Sequence, residues 1–273
     1  MSADVALVEV PYLELVHSLG SNFLFVGLGL LLGTAGLVDP DSSRGLVAFL
    51  QWVALPAILF RGMATMDKSS IQGLALAALV FSKALVVAGT GVLAVLFSRR
   101  EDNKWKSAGI CALFSALTND VSFGLPIARV LFPAQAFYLF IPIQSLLFEP
   151  ICLCLLEVGA ASDGDKGKPL TKGHLARTVL RGIATNQILI VIFLGLLYNT
   201  LIGPWLPNFA TSCLKTAGEA FPAVALFHVG LKMVGNTSQL SGRGLFWPLS
   251  LSGIKVVASA FASYYMAQWL LPQ

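Results

Sequence analysis

"SALTNDVSFGLPIARVLFP", residues 115–133, decides how this chain is read. Around it lie apolar stretches long enough to cross a bilayer. Within it Thr118, Asn119 and Asp120 stand together, and Gly124 and Pro126 follow a turn or two later. Proline has no N–H, and its ring collides with the carbonyl four residues back, here that of Ser122. Glycine loosens the same turn. Backbone groups freed in lipid must be satisfied by protein or by water in a cavity. The stretch therefore predicts a broken helix that makes a polar pocket, its two half-helix ends carrying partial charges of opposite sign. Thr118, Asn119, Asp120, Gly124 and Pro126 are the expected substrate-binding positions. The other reading is a plain proline kink with Asp120 snorkelling to the surface.

The surrounding composition supports a membrane setting. The 273 residues are 56% hydrophobic and 12% charged, with mean hydropathy +0.78. A soluble domain carries about 25% charged residues, so the chain falls in the membrane class. Its net charge of +4 is spread over short loops between apolar stretches, which excludes a nucleic-acid partner. Cys111, Cys152, Cys154 and Cys213 lie in apolar stretches and read as small apolar residues, with no disulfide framework. No Gly-rich phosphate loop, HExxH or CxxC motif occurs, so neither an enzyme, a cofactor nor a metal site is expected. The N-terminus lacks a basic n-region and a cleavage site, which makes the first helix an uncleaved anchor.

A bilayer core of about 30 Å needs about 20 apolar residues per helix. Eight segments qualify, near 12–33, 45–65, 72–97, 107–131, 136–157, 178–201, 209–232 and 246–270. A polar, basic stretch at 158–177 reads as a central loop. It divides a first five-helix unit, 1–157, from a three-helix unit, 178–273. Arg44, Arg99, Arg100, Lys104, Lys106, Lys166, Lys168, Lys172, Arg177, Arg181, Lys232 and Arg243 fall on one side of these spans. Only Arg61, Lys68 and Arg129 fall on the other. The positive-inside rule then puts the N-terminus outside or in a lumen and the central loop in the cytosol. The sequon at Asn236 falls in a cytosolic loop and is expected to be unmodified. Trp52, Trp205, Trp247 and Trp269 suit interfacial belts.

The spans repeat. "SNFLFVGLGLLLGTAGLVDP" aligns without a gap to "TNQILIVIFLGLLYNTLIGP", matching Asn22 to Asn186 and Pro40 to Pro204. "ALPAILFRGM" beside "AFPAVALFHVGLKM" matches Pro56 to Pro222, and "FSKALVV" beside "SGIKVVA" matches Lys83 to Lys255. Units five helices apart have opposite orientation, and inverted repeats around broken helices mark secondary transporters. On this reading residues 115–133 are the broken helix of the first repeat. The second repeat stops at Gln273, before a ninth and tenth helix.

These stretches resemble the auxin efflux carrier (PIN-like) membrane transporters. "GLGLLLGTAGLVDPDSSRGLVAFLQWVALPAILFRGMA" is similar to that family's first two helices, and "TNDVSFGLPIARVLF" to its fourth. The resemblance covers about residues 15–270 and implies ten helices with a crossover of two broken ones. It also implies that Asn119 helps hold a substrate carboxylate. Asp120 departs from the pattern, which usually has a neutral residue there. "IPIQSLLFEPICLCLLE" and "GEAFPAVALFHVGLKMVG" are closer to a lysosomal, cholesterol-sensing branch of the family, in which a receptor-like helical half follows.

Lys83 and Lys255 lie about 12 residues from either end of their helices. A lone charge at that depth costs at least a few kcal/mol, so each should face the interior and pair. Asp120 and Glu149 are the expected partners of Lys83, and Glu219 that of Lys255. Either pair could serve as a proton relay or counter-ion, or as a static packing contact. Ser21-Asn22 and Thr185-Asn186 read as helix caps. His228 and Lys232 complement a helix C-terminus. The chain thus reads as an all-α, inverted-repeat transporter of a small organic anion or amphipathic solute. The alternative is a sterol- or lipid-binding sensor or scaffold with the same fold and no flux. Membrane lipid and a second copy of the chain complete the expected partners.

Overall fold

The computed structural model describes residues 12–39, 43–70, 73–97, 103–117, 120–124, 126–127, 140–162, 172–235 and 243–270. Among these the chain is helical, with no strand. Helix α1 is Tyr12–Thr34, and α2 is Arg44–Ala64 with a π-turn at Leu50–Ala54. Helices α3 (Gly73–Phe97) and α4 (Lys104–Ala116) follow. A second π-turn covers Asp120–Gly124. Helix α5 is assembled from Phe140–Ile143, a π-turn at Gln144–Phe148 and Glu149–Ser162. Helices α6 (Lys172–Thr185), α7 (Gln187–Leu201), α8 (Asn208–Met233) and α9 (Arg243–Leu270) complete the order.

Among the described residues, Tyr12–Thr34, Arg44–Ala64 and Leu76–Phe97 are long and apolar enough to cross a membrane. The 26-residue α8 and 28-residue α9 have the length as well. Two expected spans are not single rods. Helix α4 has 13 residues, about 20 Å, too short for the hydrocarbon core. The span expected at 178–201 is divided at Asn186, where the backbone is extended and the side chain accepts hydrogen bonds from Ile188 N at 2.9 Å and Leu189 N at 3.3 Å. The polar break expected at 158–177 narrows on both flanks. Helix α5 runs on through an alanine-rich end to Ser162, and α6 starts at Lys172. The sequon at Asn236 lies outside the described residues.

The helices pack as two groups. In the first, α1 lies against α8, and both α7 and α8 lie against α2. Glycines set these crossings. A methyl at Gly29 would strike the Phe227 carbonyl oxygen, and one at Gly230 the Val26 carbonyl oxygen. Without a hydrophobic drive between helices in lipid, such close backbone approach is the main source of packing energy. Gly195 abuts Met63, and Gly218 abuts Ile58. Buried Asn199 on α7 directs Nδ2 at the carbonyl oxygens of Met63 (3.1 Å), Ala64 (2.9 Å) and Met66 (2.8 Å), closing the C-terminal end of α2. In the second group α4 packs between α3 and α5, and α9 covers α3. Its core holds Val87, Ala112, Ala116, Phe148 and Cys152.

Two of the interrupted spans also touch the first group. Val121 of the second π-turn and Ile141 of α5 join the Ile58, Leu59, Met63 and Ile192 core of the first group. Phe123 meets Phe23 of α1 edge-on, with ring centroids 6.1 Å apart. Replacing Asn199 by Leu removes the donor from three carbonyls at once. The expected cost is about 1–3 kcal/mol, read as a lower melting temperature of the detergent-solubilised protein. An unchanged midpoint would contradict this account of the α2 end.

Candidate functional site

The fourth span begins with Asn103, whose side chain accepts from Trp105 N and Lys106 N, both at 3.1 Å. Helix α4 then ends at Ala116, and Leu117 turns extended (φ −71°, ψ 121°). Thr118 and Asn119 lie outside the described residues, as does the side chain of Asp120. The Asp120 backbone opens the π-turn, Gly124 closes it, and Pro126 follows in helical conformation. The span is therefore interrupted, as its sequence requires. The collision expected at Ser122 is relieved by widening the turn: Ser122 is the buried middle residue of the π-turn.

The same device recurs. The π-turns at Leu50–Ala54, Asp120–Gly124 and Gln144–Phe148 each end two residues before a proline, Pro56, Pro126 and Pro150. Each places at its middle the residue whose carbonyl the proline ring would hit, namely Trp52, Ser122 and Leu146. Single π-turns inside α-helices concentrate at functional sites. Pro222, the repeat mate of Pro56, sits in α8 without one. Sequence reasoning located the prolines but missed the π-turns, for which the proline positions were the available signal.

Both deep lysines reach an interruption. Lys83 of α3 donates to Gln144 Oε1, and its ammonium is 5.8 Å from the centroid of the Phe148 ring. Gln144 and Phe148 are the first and last residues of the α5 π-turn, and Glu149 follows immediately. Lys255 of α9 donates to Phe114 O at 3.0 Å and Leu117 O at 2.7 Å, with the Phe114 ring centroid 5.4 Å away. These are cation–π distances as well as hydrogen bonds. Glu219, expected beside Lys255, belongs elsewhere: its carboxylate is 3.9 Å from Lys215 one turn back on α8, both half exposed. Residues four apart on one helix share a face, and that geometry wins over a partner in the other helix group.

Asn22 also departs from expectation. Its repeat mate Asn186 caps α7, but Asn22 lies inside unbroken α1, is 4% exposed, and its Nδ2 has no hydrogen-bond partner among the described residues. His228 Nδ1 is the other such buried atom. The first helix group carries a groove of about 430 Å³ on its outer face, lined by Trp52, Pro56, Phe60, Leu194, Cys213 and Leu214 among others. Trp52, 70% exposed in the middle of α2, lines this groove. Lys83→Met takes the ammonium away from Gln144 and Phe148. It should lower stability by about 1–3 kcal/mol, while Lys83→Arg keeps most of it, as thermal unfolding in detergent would report.

The chain has counterparts among known proteins. A family model described as "Membrane transport protein" matches residues 15–247. The mouse (Mus musculus) lysosomal cholesterol signaling protein is 27% identical over 224 residues, which are 80% of this chain and 26% of that protein. The chain thus spans about a quarter of the length of that relative. With apolar helices of crossing length and a family match over most of its residues, this is an integral membrane protein that belongs to the membrane transport protein family, to which the auxin efflux carriers are akin.

Proposed function

We propose that the protein is a secondary transporter of a small anionic or amphipathic organic solute, held at the interruption of the fourth span and moved by alternating access. One observation carries this reading. Helix α4 stops in extended Leu117 after 13 residues, and the π-turn that follows packs against the core of the other helix group through Val121 and Phe123. Motion of one group against the other would change which side reaches that point. Asn119 offers an amide to a solute carboxylate, and a change of charge on Asp120 supplies the coupling. Lys83 and Glu149, flanking the α5 π-turn, form a second charged centre nearby in the chain. Basic loops put the N-terminus outside or in a lumen, in a lysosomal or other endomembrane or at the plasma membrane. No enzymatic step is part of this reading. In proteoliposomes, uptake of labelled organic anions should fall at least tenfold in Asn119→Ala and in Asp120→Asn. Flux unchanged in both would remove these residues from the solute path.

A second reading is favoured by the groove on the first helix group. Its volume of about 430 Å³ and apolar lining suit a sterol, and the mouse relative is named for cholesterol signaling. The chain would then bind sterol without moving cargo. A photoreactive sterol should label α2 and α7, and Leu194→Trp, which fills the groove, should abolish the labelling. Sterol labelling with no flux of any anion tested favours the sensor, and flux without labelling favours the carrier.

A further inference from the structure

Lys255 is the thirteenth of the 28 residues of α9, so its Cα lies about 18 Å from the start of the helix. At that depth an ammonium cannot reach the headgroups easily and must be solvated by protein. Its solvation is unusual. Two acceptors are backbone carbonyls, Phe114 O and Leu117 O, at the C-terminal end of α4. That end carries about half a negative charge and leaves carbonyls without partners inside the helix. Leu113 O is taken by Leu117 N at 2.8 Å; Phe114 O and Leu117 O receive the lysine. The Phe114 ring also faces the ammonium, with its centroid 5.4 Å away. Carbonyl oxygens, a negative helix end and an aromatic face are together the surroundings of a bound monovalent cation.

Lys83 repeats the recipe at the repeat-related position. There an amide oxygen, from Gln144, and an aromatic face, from Phe148, receive the ammonium at an interruption of the fifth span. Two lysines, matched by the repeat, each meet an oxygen acceptor and a ring where a helix is broken.

We infer that Lys255 is the built-in monovalent cation of the fourth span. The Phe114 and Leu117 carbonyls and the Phe114 ring form a cation cradle. The ammonium fills it, and it accepts a free alkali or small ammonium ion when the lysine side chain is removed. Lys255 is a positioning residue: it acts through the end of α4 and fixes where the interruption falls. This rests on the membrane placement of α4 and α9, and holds whether or not the chain carries cargo.

The test is thermal unfolding of the full chain in detergent, at constant ionic strength, in N-methylglucamine, sodium, potassium or methylammonium chloride. The native protein and Lys255→Arg should be indifferent to the cation. Lys255→Ala and Lys255→Gln should melt several degrees lower in N-methylglucamine, and Lys255→Ala should regain most of the loss in sodium, potassium or methylammonium. Hydrogen exchange at the amides of 114–124 should quicken in Lys255→Ala and slow again with the rescuing ion. A mere packing tie between α9 and α4 predicts the same loss in every salt, and that result overturns the inference. So does a Lys255→Ala chain that stays unfolded in all four salts, because a cradle with affinity for cations would recover. The readout is stability and exchange, not flux, so its failure is distinguishable from failure of the transport reading.

Discussion

A backbone carbonyl inside a bilayer has no water to turn to, and this molecule is organised by that constraint. A proline in the middle of a span frees a carbonyl and crowds the ordinary turn around it. The chain answers first with geometry, widening three turns into π-turns before Pro56, Pro126 and Pro150. It answers second with donors lent by neighbouring helices. Gln187 Nε2 reaches the Gln51 carbonyl at 2.6 Å inside the first π-turn. Asn199 covers the end of α2, and Lys255 covers the end of α4. A hydrogen bond made adds about 1 kcal/mol net, but a buried group left unmade costs about 1–3. The asymmetry explains why the polar residues of this apolar chain gather at helix ends and interruptions.

The donors also fix which helices are held together. Asn199 and Gln187 tie α7 to α2, while Gly29 and Gly230 bring α1 and α8 into backbone contact. Lys255 ties α9 to α4, and Lys83 ties α3 to α5. Apolar contacts from Val121, Ile141 and the Phe23–Phe123 ring pair bridge from the interrupted spans to the first helix group. Apolar contacts are non-directional and can slide, whereas charge-assisted bonds hold one geometry. The interrupted fourth span has both kinds, Lys255 at the end of α4 and apolar contacts from Val121 and Phe123 beyond it.

Much of this was legible in the chain. Pro126 and Gly124 announced the break because their effect is local and steric, and Lys83 and Lys255 announced interior contacts because depth alone demands them. The repeat told which positions correspond. It did not tell which partner each would find. Glu219 was a reasonable counter-charge for Lys255 on composition, yet backbone carbonyls of a half-helix served instead, and carbonyls are invisible in a residue alphabet. Asn22 and Asn186 show the same limit: matched in sequence, one sits at a helix start and the other inside a continuous helix. What separates them is the α6–α7 break before Asn186, and α1 has no counterpart to it. The π-turns escaped notice because hydrophobic periodicity averages over them.

Those wide turns carry a last consequence. An i→i+5 turn contains one residue more than an α-turn, so every side chain beyond it is rotated by about 100° from where a continuous helix would point it. In α2 the face that holds Trp52 is thus out of phase with the one that holds Met63. A one-residue deletion within Leu50–Ala54 converts the wide turn to a regular one and leaves the segment behind it facing as before, shortening the span by no more than about 1.5 Å. Gain or loss of a single residue, ruinous in most helices, is at these three places absorbed without turning half a helix away from its neighbours.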